Sequence, residues 1–246
     1  MSEYRWNVAD YAAGFDAAAH HIHPYYLEMQ QHVLELIEPQ ARQGGMLLDL
    51  GGGSGRLAAL ALERFPKLRA VLLDQSAPFL EIAQQRLANF GERATCVQAR
   101  LQDDWFKTLT EPPIAITSMS AIHHLDAGEK RELYARCYQA LAPGGILPNA
   151  DEIRPASDDD YLSALRNWAE HKHQIVRDGL VDEPVRELLD RWEERNVKNF
   201  SHPRTSGDDC HETVAAQLDY LRDAGFVEVD APWQRAMWAI MRGIEK

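Results

Sequence analysis

The sequence predicts an α/β protein with a doubly wound, mostly parallel sheet, and three features of the chain support that prediction. Short apolar runs of strand length alternate with segments of helical periodicity between about residues 45 and 152. The first of these runs leads into a glycine-rich turn, which is typical of a strand that ends beside a ligand. The alternation breaks over residues 153–210 and then resumes, which indicates a helical insertion into the sheet domain.

Composition limits the classes of function. The 246 residues suit one large domain or one domain with an insertion, and 26 basic against 38 acidic residues leave a net charge of −12. This charge argues against a nucleic-acid partner. The three cysteines are far apart and fit neither a disulfide framework nor paired zinc ligands, so we expect a reducing, cytoplasmic location. The segment Met1–Trp6 lacks an apolar signal core, and no charge-free apolar run reaches about 18 residues, so we expect no membrane partner.

The segment at residues 46–57 is the most informative part of the chain. An apolar run containing Asp49 ends in four glycines within five positions, and a helical pattern follows. Glycines at 51, 53 and 55 can adopt positive φ and let the backbone approach a ligand closely, since they carry no Cβ. Backbone N–H groups at the start of the following helix would point into the same space. A glycine-rich connection without a ligand is the alternative, but four glycines exceed what a turn requires.

The spacing of this turn discriminates between nucleotide ligands. A dinucleotide fingerprint would require glycine where Arg56 stands. The pattern Asp-x-Gly-x-Gly-x-Gly, from Asp49 through Gly51 and Gly53 to Gly55, instead resembles the first motif of the class I S-adenosylmethionine (SAM)-dependent methyltransferases. The resemblance implies SAM as the cofactor, with Asp49 ordering the loop and the methionine end of SAM.

A second acid supports the adenosine site. Asp74 ends the next strand pattern, and one carboxylate there can accept hydrogen bonds from both ribose hydroxyls, so we assign Asp74 and the adjacent Gln75 to the cofactor site. After the third strand, family members contact adenine, and many carry an acid where this chain has Arg100. Leu101 and Gln102 are therefore our candidates for the adenine contact. Ser118, in the fourth strand, completes the predicted cofactor-binding set.

Candidate catalytic residues follow the fourth and fifth strands. The loop Ala121–Leu125 resembles the Ala-x-His-His-Leu loop of small-molecule SAM methyltransferases, and either His123 or His124 can act as a general base near neutral pH. Alternatively, these histidines only shape the loop. Asp151 and Glu152 end the fifth strand and can bind a cationic substrate, hold a metal or act as a base, or can simply be solvated. We take His123, His124 and Asp151 as the catalytic candidates.

A histidine cluster near the N-terminus does not predict a metal site. His20, His21 and His23 are close in sequence, but no further ligand type accompanies them at metal-binding spacing. A solvated or locally hydrogen-bonded cluster is the better interpretation. We therefore predict no metal.

The resemblance also implies a domain organisation. Residues 1–40 would form a helical lid over the cofactor, residues 41–152 and 211–246 a Rossmann-like SAM-binding domain, and residues 153–210 a helical substrate cap. Alternatively, the aromatic residues of the N-terminal segment only cover an apolar surface. The family closes its sheet with a final antiparallel strand. We predict the last two strands over Phe226–Val229 and Trp233–Met241.

These features together predict a SAM-dependent methyltransferase that acts on a small molecule. An RNA-modifying methyltransferase is the alternative within this class, and the acidic net charge disfavours it. A SAM-binding protein without catalysis and a nicotinamide-dependent dehydrogenase are two further possibilities. Arg56 and the terminal strand pair argue against the dehydrogenase. The sequence predicts neither the acceptor nor the oligomeric state.

Overall fold

Seven strands form a single sheet in the computed structural model, which describes residues 5–246. The strands are β1 (Gly45–Leu50), β2 (Leu68–Asp74), β3 (Ala94–Gln98), β4 (Ala115–Met119), β5 (Ile146–Glu152), β6 (Val227–Arg235) and β7 (Trp238–Ile244). Their order across the sheet is β3-β2-β1-β4-β5-β7-β6. Strands β1 to β5 pair in parallel, whereas β7 runs antiparallel to both β5 and β6. The predicted doubly wound, mostly parallel sheet with a C-terminal antiparallel strand is confirmed.

Eight α-helices accompany the sheet. They are α1 (Ala9–Ile22), α2 (Tyr26–Ala41), α3 (Arg56–Arg64), α4 (Ala77–Leu87), α5 (Ala127–Ala140), α6 (Asp158–Arg177), α7 (Glu183–Glu193) and α8 (Val214–Ala224). Helices α2, α3 and α4 cover one face of the sheet, and α5 and α8 cover the other. Among the described residues, none of the helices combines the length and apolarity needed to span a membrane.

The central strands β1 and β2 are mostly apolar, because both of their faces are buried. Leu47 packs into the core on the α2–α4 side, and its neighbour Leu48 packs on the α5–α8 side. Leu72 and Leu73 of β2 divide between the two cores in the same way. This arrangement explains why these strands appear as continuous hydrophobic runs rather than alternating patterns.

The C-terminal hairpin differs from the sequence prediction. Strand β6 extends to Arg235, so Trp233 lies on β6 and not at the start of the last strand. The hairpin turns at Ala236, which adopts a positive φ of 47°. Glycine or asparagine usually marks such a turn, and an alanine there carries no recognisable signal.

Helices α1, α6 and α7 form a separate small core. Ile22 of α1 packs with Ile175 of α6 and with Val185 and Leu189 of α7. Close approach of α1 to α7 requires Gly14, since a Cβ there would lie 2.6 Å from Cγ2 of Val185. The proposed lid and the proposed cap are therefore packed against each other. The first four residues of the predicted lid lie outside the described part of the chain.

Candidate active site

A cavity of about 580 Å³ opens at the carboxyl ends of the parallel strands. Ligands bind at this edge in open α/β sheets, where the strand order reverses around the first strand. Glycines 51, 52 and 53 form part of its wall. Its wall also includes Asp49, Asp74, Gln75, Leu101, Gln102, Ser120 and His124, together with Trp6 and Phe15 from the N-terminal segment.

Asp74 connects the glycine loop to the end of β2. Its Oδ2 accepts a hydrogen bond of 2.9 Å from the Gly53 N–H, and its Oδ1 accepts one of 2.8 Å from the Ser76 N–H. Burial raises the pKa of Asp74, although these backbone N–H groups oppose that effect. The carboxylate thus holds the loop in place and also lines the cavity.

Asp49 presents a buried carboxylate oxygen to the same cavity. Oδ1 of Asp49 accepts a hydrogen bond of 2.8 Å from Thr117 Oγ1, but Oδ2 has no hydrogen-bond partner among the described residues. Burial raises the pKa of Asp49 to about 7. An ionised carboxylate in this position requires a cation or a donor from a ligand, because an unpaired buried charge is costly.

Helix α1 is tied to the glycine loop through Asp16. The Asp16 carboxylate accepts hydrogen bonds from Ser54 Oγ, from Arg56 Nε at 2.9 Å and from Arg86 Nη2 at 2.8 Å. We call this group the Asp16 clamp. It joins α1, the start of α3 and α4 around one side of the cofactor cavity. The sequence offered no signal for it, since its partners are distant along the chain.

A second cavity, of about 280 Å³, adjoins the first. The two cavities share four wall residues, Trp6, Phe15, Ser120 and His124. Apolar side chains from α1, α6 and α7 form much of the second wall: Ile22, Trp168, Leu188, Leu189 and Trp192. Charged and titratable residues also face it, among them His23, His123, Glu152, Lys172, Arg195 and Asp209.

The adjacent histidines His123 and His124 occupy different positions. His124 lines both cavities, and Arg5 Nη2 lies 3.2 Å from its Nε2 and 3.2 Å from Asp209 Oδ1. His123 is buried and lines only the second cavity. Its Nδ1 lies 2.7 Å from Oδ1 of Asp151, and its Nε2 lies 3.0 Å from Oε2 of Glu152.

Glu152 is the centre of a buried group of histidines. Besides His123, Nε2 of His211 lies 3.4 Å from Glu152 Oε2, and Nδ1 of His23 lies 3.4 Å from Oε1. Burial alone would raise the pKa of Glu152, but the facing histidines outweigh it and lower that pKa to about 2. Burial lowers the pKa of His23 to about 4.

Lys172 lies between two indole rings in the second cavity. Its Nζ is 3.7 Å from the ring centroid of Trp168 and 3.0 Å from that of Trp192, which is cation–π geometry. Burial lowers the pKa of Lys172 well below its usual range. Lys172 forms no ion pair with any residue in the range 5–246, although Asp209 and Glu152 oppose the effect of burial on its pKa from a longer distance.

Comparison with known proteins identifies the family. A family model described as a methyltransferase domain matches residues 47–145. An uncharacterized methyltransferase of Mycobacterium tuberculosis (strain ATCC 25618 / H37Rv) is 30% identical over 162 residues, which cover 65% of this chain and 71% of the relative. The chain belongs to the SAM-dependent methyltransferase family. The matched region contains the glycine loop, Asp74 and the His123–His124 loop.

Another relative is longer than this chain, and the match covers a smaller share of both proteins. Ribosomal RNA small subunit methyltransferase H of Mycobacterium avium (strain 104) is 32% identical over 152 residues, and the match covers 54% of this chain but only 39% of the relative. The chain thus spans about two fifths of the length of that enzyme.

Solved structures share the fold. An O-methyltransferase family protein from Burkholderia thailandensis superposes with a TM-score of 0.61 at 18% identity, covering 88% of this chain and 56% of that one. Human N-acetylserotonin methyltransferase in complex with SAM gives a TM-score of 0.54 at 14% identity, covering 94% of this chain and 57% of that one. Matches at these identities describe the architecture alone.

SAM is the cofactor of this methyltransferase family, and the first cavity fits it. The unpartnered Oδ2 of Asp49 provides an acceptor for a positively charged group. A Cβ on Gly53 would meet no atom within 4 Å, so the loop leaves open space beside its backbone. Asp74 lies on the same wall, where its remaining lone pairs are available to ligand hydroxyls.

Two of the predicted cofactor residues of this methyltransferase do not line the cofactor cavity. Gly55 adopts a φ of 78° at the start of α3, where a Cβ would lie 3.3 Å from Ala83 and Leu72, so its role is to form the turn. Ser118 donates its hydroxyl hydrogen bond to the Leu50 carbonyl at 2.9 Å, which joins β4 to β1. Leu101 and Gln102 do line the cavity, as does Arg100.

Asp151 lies behind the site rather than in it. It is completely buried and lines neither cavity. Its Oδ2 accepts a hydrogen bond of 2.9 Å from the His123 backbone N–H, while its Oδ1 faces His123 Nδ1. These two contacts hold His123 in one orientation. Asp151 itself does not line the cavity, because adjacent residues on a strand point to opposite sides and Glu152 is the one that faces it. His211 was missed, since it contacts Glu152 from a segment with no motif of its own.

Proposed function

We propose that the protein transfers the methyl group of SAM to a small-molecule acceptor held in the second cavity. The supporting observation is that the two cavities adjoin and share wall residues. A cofactor in the first cavity and an acceptor in the second would meet beside Ser120 and His124. Alignment of two reactants in this way can supply much of the rate enhancement of a transfer reaction.

The lining of the second cavity favours an acceptor with an apolar body and a negatively charged group. Trp168, Leu188 and Trp192 offer apolar surface. Lys172 lacks a carboxylate partner within the described residues, and an anionic group on the acceptor would supply one. An anionic group beside Lys172 would raise the pKa of its amine and so favour the positively charged form, which burial disfavours.

The side chains have separate roles in the proposed reaction. SAM supplies a methyl group already activated by its sulfonium. Asp49 and Asp74 hold the cofactor, and His124 on the shared wall accepts a proton where the acceptor must lose one. Asp151 keeps His123 in a fixed orientation through two hydrogen bonds. His123 thereby faces Glu152 rather than the cofactor.

The N-terminal segment and the insertion exclude water from this reaction. Trp6 and Phe15 line both cavities, and their ring centroids are 4.8 Å apart. Residues 5–40 thus form a lid over the cofactor, and residues 153–210 form a cap over the acceptor. The Asp16 clamp holds the lid to the glycine loop.

An RNA acceptor is the alternative, and similarity to ribosomal RNA methyltransferases supports it. The net charge of −12 provides no general attraction for a polyanion. A base from RNA would also have to pass the lid and cap, whose helices pack against each other. These observations favour the small molecule.

Methyl-labelled SAM distinguishes the two acceptors. The protein would be incubated with the label and with either the metabolite fraction or the RNA fraction of a bacterial extract. We expect label in one or a few metabolites, identified by mass spectrometry, and none in RNA above the Asp74→Asn control. Transfer to RNA alone would contradict the proposal. Absence of transfer to either fraction despite measurable SAM binding would favour a non-catalytic protein.

A further inference from the structure

We propose that His123, Glu152 and His211 form a binding site for a divalent transition-metal ion, for which Zn²⁺ is the test ligand. The three residues lie in the turn after β4, at the end of β5 and before α8. The ligand atoms of His123, Glu152 and His211 all lie within 4.8 Å of one another. Imidazole nitrogens with one carboxylate are a donor set that suits zinc and iron.

The separations between the donor atoms match those around a bound ion. Bonds of about 2.0–2.1 Å in tetrahedral geometry place neighbouring ligands roughly 3.3–3.4 Å apart. The nitrogens facing Oε2 of Glu152 lie at 3.0 Å for His123 Nε2 and 3.4 Å for His211 Nε2.

Both histidines of the site are already held by their outer ring nitrogens. Nδ1 of His123 lies 2.7 Å from Asp151 Oδ1, and Nδ1 of His211 lies 2.7 Å from the Tyr161 hydroxyl. Metal-binding histidines are typically oriented by such a partner, which keeps the proton on the outer nitrogen. The inner nitrogen of a neutral imidazole then presents a lone pair towards Glu152, where a bound cation would stabilise both groups.

Three polar atoms in or beside the site lack any other partner. Nδ1 of His23, Oε1 of Glu152 and Nε2 of His211 are buried without a hydrogen bond to any described residue. All three residues are at most 7% exposed. Buried polar atoms in folded proteins are nearly always paired, so the unpaired atoms on Glu152 and on the histidines facing it indicate a missing partner.

A neighbouring group of potential ligands is occupied by a side-chain cation instead. His123, His124 and Asp209 also bring donor atoms together. There, Arg5 Nη2 lies 3.2 Å from Asp209 Oδ1 and contacts the His124 ring, so the charge of Asp209 is already balanced. No arginine or lysine pairs with Glu152 in the part of the chain that the structure describes.

The ion would lie at the wall of the acceptor cavity, which His23, His123 and Glu152 line. An open coordination position there would bind an oxygen or nitrogen atom of the acceptor. That last role rests on the proposed function, whereas the metal site does not.

Metal binding is tested on the full-length protein without any acceptor. After chelation and desalting, titration calorimetry with Zn²⁺ should give one site per chain with submicromolar affinity. Glu152→Gln and His211→Ala should each weaken it by at least a hundredfold, and Asp151→Asn by ten- to a hundredfold. His173→Ala, which alters an exposed histidine, should bind as the wild type does. SAM affinity, measured in parallel, verifies that each variant is folded.

Cobalt spectroscopy provides a second readout that does not depend on mutants. Co²⁺ added to the chelated wild-type protein should give visible absorption bands of a tetrahedral or five-coordinate site, displaced by Zn²⁺. The inference is overturned if wild-type protein binds Zn²⁺ no more tightly than Glu152→Gln, or if Co²⁺ shows only its aqueous spectrum. Neither result would count against SAM binding or methyl transfer, which are measured separately. Failure of the metal site can therefore be distinguished from failure of the proposed function.

Discussion

Asp49 in the cofactor cavity and Glu152 in the second cavity are both deeply buried carboxylates, and their environments are opposite. Asp49 in the cofactor cavity has no ion-pair partner within residues 5–246, and burial raises its pKa to about 7. Glu152 in the second cavity faces three histidines, which lower its pKa to about 2 against the effect of burial. The cofactor cavity therefore leaves a charge to be balanced by the ligand, whereas the second cavity surrounds its charge with groups from the chain itself.

Replacement of Asp49 with asparagine should have the largest effect on this difference between the two cavities, because it removes the titrating group of the cofactor cavity. The pKa of Asp49 is about 7 in the folded protein against 3.8 when unperturbed, so the folded state binds the extra proton between these values. The contribution of Asp49 to the free energy of unfolding therefore falls as pH rises through that window, by roughly 3 kcal/mol between pH 5 and pH 8. Asp49→Asn should not show this pH-dependent fall in the free energy of unfolding, measured by urea unfolding without SAM.

The same variant should bind SAM more weakly, so stability and affinity should move in opposite directions. Thr117→Val is the matched control, because it removes the hydrogen bond to Asp49 but keeps the carboxylate. If Asp49→Asn and the wild type lose the same free energy between pH 5 and pH 8, Asp49 is not the titrating group.

Replacement of His124 tests the boundary between the cavities. His124 is the histidine that lines both, so His124→Gln should lower turnover of the acceptor by about a hundredfold while SAM affinity changes little. His173→Gln on the exposed surface is the control. Equal losses of turnover and SAM affinity would instead assign His124 to cofactor positioning.

Replacement of Asp74 affects the cofactor side alone. Asp74→Asn replaces one acceptor oxygen with an N–H₂ group, which cannot accept from Gly53, Ser76 or a ligand hydroxyl. We expect SAM affinity to fall by roughly 2 kcal/mol, or about thirtyfold, in titration calorimetry. Asp104→Asn, at an exposed acid outside both cavities, serves as the control. A dissociation constant within threefold of the wild type would remove Asp74 from the cofactor site.

The smallest effect is expected where the lid meets the cap. Gly14→Ala gains about 1 kcal/mol of helix propensity but places a Cβ 2.6 Å from Val185, and overpacking of this kind costs about 1–3 kcal/mol. We expect a net loss of about 1 kcal/mol in thermal unfolding. The KM for the acceptor should rise more than the dissociation constant of SAM. Gly128→Ala, in an exposed part of α5, should show neither effect.

The contrast between the cavities also explains what could be predicted from the sequence. The sheet and most of the cofactor cavity follow from local patterns, because Gly51, Gly53 and Asp74 each lie beside the end of a recognisable strand. The second cavity brings together His23, Glu152 and residues far from both along the chain. No spacing rule links such residues, so their proximity emerges only from packing.

Individual residues illustrate the same limit within well-predicted elements. Asp151 was assigned a catalytic role because it ends a strand beside the site, but the side to which each residue points depends on the strand register, which the sequence did not reveal. Lys172 gave no signal, since a lysine on a helix is usually solvated and its position between Trp168 and Trp192 depends on the approach of α7.

The Asp16 clamp makes exchange of the cofactor sensitive to ionic strength. Its two arginines are 31% and 25% exposed, so dissolved salt screens their attraction to Asp16 and lowers the barrier to lifting α1 from the glycine loop. In the proposed reaction, departure of the spent cofactor would require this movement, and such a step often limits turnover in closed active sites. The protein would therefore work faster but hold its cofactor for a shorter time as salt concentration rises.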